Sequence, residues 1–366
     1  MTQAAGVVDA LALAPLYGDE VLLHTVRDTH QAIAKRVFDL LGPMAAAPRA
    51  VHDGISAGVY AGIGAGLAAA GVALRAVEGS GPRLAPSLQS AITGVIGDRL
   101  RDETHALHFE MSVRMRGDDV PADHAYLAAA YPNATGDLVV FLHGLCETEA
   151  VFNYRHEESP TYAQAVALQG WTPVFLRYNS GLSIRENGAA LASLLQQVVD
   201  AWPTEVRRVV LVGHSMGGLV VRAATALSGS HDWPDRTTDI VMLGVPHLGA
   251  PLARQAMIGG GLLKVLPESA AFGRIIDHRS VGIRDMEVAL DAPNLDHVRY
   301  RLVSAQMKGI AGVLLGDLLV RRPSAYGRSR RDDVFPGADT VHLANTNHFG
   351  LLNHPDVHTK LKEWLS

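Results

Sequence analysis

Residues 213–218 read Gly-His-Ser-Met-Gly-Gly, so Ser215 has one residue between it and a glycine on either side, Gly213 and Gly217. That spacing suits a serine nucleophile. A G-x-S-x-G stretch works chemically when a strand enters it and a helix leaves it: the tight turn lifts the hydroxyl clear of the backbone, and side chains at the glycine positions would collide with their neighbours. Both flanks are present, Val209-Val210-Leu211-Val212 before the turn and Leu219-Val220-Val221 after it. A purely structural strand-to-helix turn could carry the same glycines, so the remaining parts of a catalytic serine have to be sought elsewhere in the chain.

An oxyanion needs donors, and Leu138-Val139-Val140-Phe141-Leu142 runs into His143-Gly144-Leu145, a strand ending in a turn that could sit beside the serine. The backbone N–H groups of Leu145 and Met216 are the candidate oxyanion donors, a kind of interaction worth about 3–4 kcal/mol per donor in acyl transfer. His143 reads better as a side chain that fixes this turn than as a catalyst. The base has to come from 17 histidines. His348 stands in Asn347-His348-Phe349-Gly350, between the strand-like Thr340–Leu343 and a final helix around Val357–Leu365, where a loop could hang it over the serine. His342, His354 and His358 are rivals, and His214 adjoins the serine but should point elsewhere on a tight turn. For the orienting acid, Asp317 in Gly316-Asp317-Leu318-Leu319-Val320 follows the strand Tyr300–Ser304, with Asp332, Asp333 and Asp339 as alternatives before His348. Ser215, Asp317 and His348 come in the chain order of an α/β-hydrolase triad. The spacing of the late histidines matches no metal-binding pattern, and the lone Cys146 reads as a small apolar residue, so no metal or cofactor is expected.

Positioning such a triad takes a rigid scaffold. The Val/Ile/Leu runs Leu138–Leu142, Pro173–Leu176, Val209–Val212, Ile240–Leu243 and Tyr300–Ser304 read as strands, separated by helices at Ser183–Ala201 and Met216–Leu227. Continuous apolar strands alternating with helices predict a mostly parallel sheet covered on both faces. Before them, Leu107, Phe109, Met111, Val113 and Met115 alternate with polar residues as in a half-buried strand.

The chain of 366 residues is 48% apolar and exceeds the usual size of a single core. Residues 1–104 therefore read as an N-terminal helical region and residues 105–366 as the catalytic domain. Within the first region a helix is expected over Asp19–Leu41 and another over Ser87 to about Leu100. Between them, the uncharged run 55–74 carries Gly58, Gly62 and Gly66 as a small-residue stripe; a tightly packed helix fits its low hydrophobicity better than contact with a membrane. A net charge of −5 provides no field to attract nucleic acid, and one cysteine together with the absence of a basic leader predicts a cytoplasmic protein.

Taken with VVFLHGL at 139–145, RYNSGLSIRENG at 177–188, GVPHLGAPLA at 244–253 and NHFGLLNHPDV at 347–357, the sequence resembles α/β-hydrolases of the lipase/esterase type over about residues 105–366. It is similar to bacterial lipases and to the catalytic domain of GPI inositol-deacylase-like proteins. The resemblance implies the α/β-hydrolase fold, Ser215 as nucleophile, Asp317 as acid, His348 as base, and Leu145 and Met216 as oxyanion donors. It departs in offering no carboxylate pair for the calcium site that bacterial lipases often carry, and residues 1–104 match no such pattern.

The expected activity is hydrolysis of a small-molecule or lipid carboxylic ester through an acyl-enzyme. The same triad could serve an acyltransferase, and the same fold a non-catalytic receptor. Residues of about 252–298 read either as a lid-like insertion, with Gly259-Gly260-Gly261 as a hinge and Met257, Ile258, Leu262 and Leu263 lining an acyl pocket, or equally as a helix packed on the core. The arginines at 321, 322, 328, 330 and 331 read as a solvated loop.

Overall fold

Branched side chains have restricted rotamers and pack well on a pleated surface, so the apolar runs of this chain become strands. The computed structural model describes residues 84–103, 106–154, 160–229, 231–249, 280–308, 317, 320–329 and 332–366, with scattered positions between 31 and 61. Strands β1 (Ser112–Met115) and β2 (Asp118–Val120) form a hairpin, followed by β3 (Asp137–Leu142), β4 (Thr172–Arg177), β5 (Arg208–His214), β6 (Thr237–Leu243), β7 (Arg299–Gln306) and β8 (Asp339–Ala344). Together they make one sheet of 8 strands in the order β2-β1-β4-β3-β5-β6-β7-β8. β1 runs antiparallel to both its neighbours, whereas every pairing from β4 across to β8 is parallel.

Parallel neighbours need long crossovers, which the helices provide. The principal helices are α1 (Pro86–Asp102), which precedes β1, the crossovers α2 (Tyr162–Leu168), α3 (Ile184–Ala201) and α4 (Met216–Ala226), and α5 (Pro355–Leu365), which follows β8. Helix α3 starts at a capping box in which Ser183 and Glu186 satisfy each other's backbone N–H groups.

The two faces of the sheet bury different halves of each strand. Leu138, Val140 and Leu142 of β3, Val209 and Leu211 of β5, and Ile240 and Met242 of β6 share one core with Leu191 and Leu195 of α3 and Leu219 and Val220 of α4. Val139, Phe141, Val210, Val212, Val241 and Leu243 share the other with Tyr162 and Val166 of α2 and Val357, Leu361 and Trp364 of α5. Each fully buried aliphatic side chain is worth roughly 1.5–3 kcal/mol. Both faces being apolar explains why the central strands read as unbroken hydrophobic runs.

The sheet, its helices and the element order agree with the fold expected from sequence. The alternation from Leu107 yields a shorter strand than its pattern suggests, because Ser112 already pairs with Arg177, the last residue of β4, and the residues before it have no ladder to join.

Contacts divide the chain into two units, one made of residues 1–89, 102–107 and 255–279, the other of 90–101, 108–254 and 280–366. Residues 90–101, grouped with the N-terminal region by sequence, thus belong to the unit that holds the sheet. The helix expected over Asp19–Leu41, most of the run 55–74, and the hinge and pocket residues Met257, Ile258, Leu262 and Leu263 lie outside the described residues. Among the described residues, no helix is long and apolar enough to cross a membrane.

Candidate active site

Ser215 sits between β5 and α4 with φ 52° and ψ −124°. A non-glycine residue held there costs roughly 1–3 kcal/mol, which the surrounding packing must overcome. That packing is tight. A Cβ at Gly217 would fall 2.5 Å from the His143 carbonyl oxygen and 2.6 Å from that of Leu142, so a side chain would push α4 away from the end of β3. The Ser215 N–H is anchored to the Leu243 carbonyl at 2.9 Å, which locks the turn to the end of β6.

His348 and Asp317, 31 residues apart in sequence, meet with Nδ1 2.7 Å from Oδ2. Both are buried, His348 at 3% and Asp317 at 1% exposure. A carboxylate accepts only, so the imidazole donates its Nδ1–H and carries its lone pair on Nε2. Backbone contacts reinforce the pairing: the His348 N–H donates to the Asp317 carbonyl at 3.0 Å, and the Val320 N–H donates to Asp317 Oδ1 at 2.8 Å. His348 Nε2 is buried and makes no hydrogen bond among the described residues. The ring lies by Gly244, which has φ +60° and where an added Cβ would come within 2.5 Å of Leu351 Cδ1 and 3.1 Å of His348 Cε1. Gly244 directly follows Leu243, the residue that anchors Ser215.

The rival aspartates, His342 and His354 are engaged elsewhere. Asp333 binds Arg328 and the Phe335 N–H, Asp332 bonds Ser329, and Asp339 pairs with Arg301 and Trp364. His342 meets Ser304, and His354 caps α5. Arg322 lies over the Tyr326 ring.

The turn after β3 lies against the serine, since a Cβ at Gly144 would stand 3.0 Å from Ser215 Cβ. Its peptide is tied from one side. The Gly144 carbonyl accepts from His143 Nδ1 at 2.8 Å and from the Glu147 N–H at 3.4 Å, and in a trans peptide the N–H of Leu145 then points the opposite way. Met216 is the first residue of α4, where a backbone N–H has no partner within the helix. These are the two amides singled out as oxyanion donors. His143 Nε2 in turn accepts the Tyr178 N–H at 3.3 Å, and its ring stacks on Tyr178 with centroids 4.4 Å apart. One nitrogen donating and one accepting describes a neutral ring, and burial lowers its pKa in the same direction. His143 therefore fixes the turn, the part that sequence assigned it.

Sequence did not reveal Glu147. Its Oε2 accepts the Gly144 N–H at 2.6 Å and faces His214 Nδ1 at 3.0 Å. His214 is fully buried, and its Nε2 faces the His348 carbonyl at 3.4 Å. Both ring nitrogens therefore look at oxygen acceptors, a setting that favours the doubly protonated cation. Burial by itself lowers the His214 pKa, but the Glu147 carboxylate outweighs it and the net shift is upward. Burial likewise raises Glu147, and the attraction of His214 turns its shift downward. Nothing in one sequence marks a glutamate three residues after Gly144 as the partner of the residue before Ser215; only the closeness of β3 and β5 brings them together.

A parallel sheet with a strained serine between β5 and α4, and a histidine–aspartate pair delivered by the loops around β8, decides the architecture. The chain has the α/β-hydrolase fold. A family model for the PGAP1-like alpha/beta domain matches residues 179–264, a span that includes the serine turn. No curated protein matches its sequence. Among solved structures it is similar to the propeptide form of Bacillus licheniformis lipase BlEst2, at 19% identity over 69% of this chain and 53% of the lipase, with a TM-score of 0.47. This chain thus spans about half the length of that form. The mature form of the same lipase is similar at 21% identity, covering 69% of this chain and 97% of the lipase, TM-score 0.43. The Pyrococcus furiosus esterase PF2001 is similar at 14% identity over 64% and 82% of the two chains, TM-score 0.39.

Proposed function

We propose that this α/β-hydrolase cleaves carboxylic esters through Ser215, His348 and Asp317. The observation that carries the proposal is the buried Asp317–His348 hydrogen bond of 2.7 Å, which leaves a partnerless Nε2 at the end of the sheet where Ser215 is held. In this reading His348 Nε2 takes the Ser215 proton as Oγ attacks the ester carbonyl carbon. The amides of Leu145 and Met216 receive the oxyanion. His348 then hands the proton to the departing alcohol, leaving an acyl-enzyme. Water, deprotonated by the same nitrogen, releases the acid and restores the serine. Asp317 keeps the imidazole in the required tautomer and stabilises the imidazolium formed at each step.

The test is turnover on p-nitrophenyl esters of increasing acyl length, measured for wild type and Ser215→Ala side by side. We expect measurable hydrolysis that Ser215→Ala lowers by about six orders of magnitude, the scale at which losing a triad nucleophile removes catalysis. Equal rates in the two proteins would remove Ser215 from this role, and the chain-length profile reports the depth of the pocket.

A further inference from the structure

Two charged side chains outside the triad connect its parts. Glu147 stands on the turn that follows β3, and His214 is the last residue of β5, immediately before the nucleophile. Between them they reach both halves of the site: Glu147 Oε2 holds the Gly144 N–H, and His214 Nε2 reaches the His348 carbonyl. The His214 ring also packs on the His348 ring, with centroids 4.8 Å apart. Glu147 is 11% exposed at its side chain and His214 not at all, so neither water nor salt screens the pair as it would on a surface.

We propose that Glu147 and His214 form a positioning pair for the ester-cleaving reaction, a buried strut that holds the Leu145-bearing turn and the His348-bearing loop in register about Ser215. The proposal rests on the hydrolase reading above. Its physical content follows from the geometry. The Gly144 peptide groups are gripped on both sides, by Glu147 at the N–H and by His143 at the carbonyl, which sets the direction in which the following Leu145 amide points. The loop carrying His348 is held on one side by Asp317 and on the other by the ring Nε2–H of His214. Without the strut, the amide and the base can shift independently of each other. Reacting groups tolerate little of this, since a misplacement of about 1 Å can cost a factor on the order of 100 in rate. Neither side chain has to touch the ester, so removing the pair should lower kcat while leaving substrate binding largely intact.

The experiment uses the full chain and p-nitrophenyl butyrate, with wild type, Ser215→Ala, Glu147→Gln, His214→Gln and the double variant Glu147→Gln/His214→Gln. Folding of each is checked by circular dichroism and thermal unfolding. We expect each single variant to lose roughly ten- to a hundredfold in kcat with KM within about threefold of wild type. The double variant should be no worse than the poorer single one, because the two groups act as a unit. Where a single variant does not fold, the double variant, which removes both charges together, decides by the same kcat criterion. Folded variants with kcat within twofold of wild type, while wild type itself is active, overturn the positioning role alone. Additive losses in the double variant also overturn it, since they mean that the two side chains act separately. A wild type no faster than Ser215→Ala overturns the hydrolase reading and the strut with it.

Discussion

Asp317 divides its two carboxylate oxygens between structure and chemistry. Oδ1 takes the Val320 N–H and so closes its own loop, while Oδ2 takes the His348 Nδ1–H. Replacing it with asparagine separates these uses. Asp317→Asn keeps a group of the same shape, but an amide NH2 facing Nδ1 forces the imidazole proton onto Nε2, the nitrogen that accepts the Ser215 proton in the proposed mechanism. We expect kcat on a model ester to fall by about four orders of magnitude with the fold retained, read from saturation kinetics and the melting temperature. If Asp333→Asn were the damaging change instead, the acid would be misassigned. At this scale the sequence was informative about types and order and silent about partners. Ser215 was legible because its glycines and flanking apolar runs are local, whereas Asp317 competed with three other aspartates until a contact across 31 residues separated them. Glu147 had no local signature at all, because its partner lies on the neighbouring strand.

The turn between β5 and α4 works only while the helix can approach the end of β3. At Gly217 the obstacle to a side chain is backbone, the carbonyls of His143 and Leu142, and backbone cannot step aside as a flexible side chain would. Gly217→Ala should therefore destabilise the protein by about 1–3 kcal/mol, a typical cost of overpacking, and should also displace the Met216 amide. Both effects are measurable, the first by denaturant unfolding and the second as a loss of kcat in the folded fraction. An unchanged unfolding midpoint would mean that the approach is looser than described. The strands were readable for a simple reason: with both faces buried, β3, β5 and β6 are apolar throughout. Helix α1 was harder to place. A helix was expected there, but its attachment to the sheet unit depends on the close approach of Gly94 to Cys146 and of Gly97 to Asn179, and on the Val281 N–H bonding Asp98 at 2.9 Å. None of these contacts leaves a periodic mark in the chain.

Over the whole molecule, the buried Glu147–His214 pair makes stability depend on pH. The His214 pKa is raised above its ordinary 6.5, so its contribution is complete below that value and is lost as pH rises through the raised one. Glu147 lies below its ordinary 4.5, so its contribution is complete above that value and is lost as pH falls through the lowered one. Asp317, which also faces His214, acts on it in the same direction, while the neutral His143 ring, Cys146 and Tyr178 beside Glu147 carry no charge in this range. The melting temperature of wild type relative to His214→Gln should thus differ most between about pH 4.5 and 6.5 and converge above that range. A difference that grows as pH rises past that window would show that His214 is buried as the neutral ring. The central claim concerns one activated hydroxyl, and a fluorophosphonate tests it most directly because it modifies serines that a neighbouring base has made nucleophilic. Intact-mass and peptide analysis of the full chain should find one equivalent bound, on the peptide that contains Ser215, with none in Ser215→Ala and much slower labelling in His348→Ala. Folded wild type that stays unmodified, or that is modified at a different serine, would contradict the account.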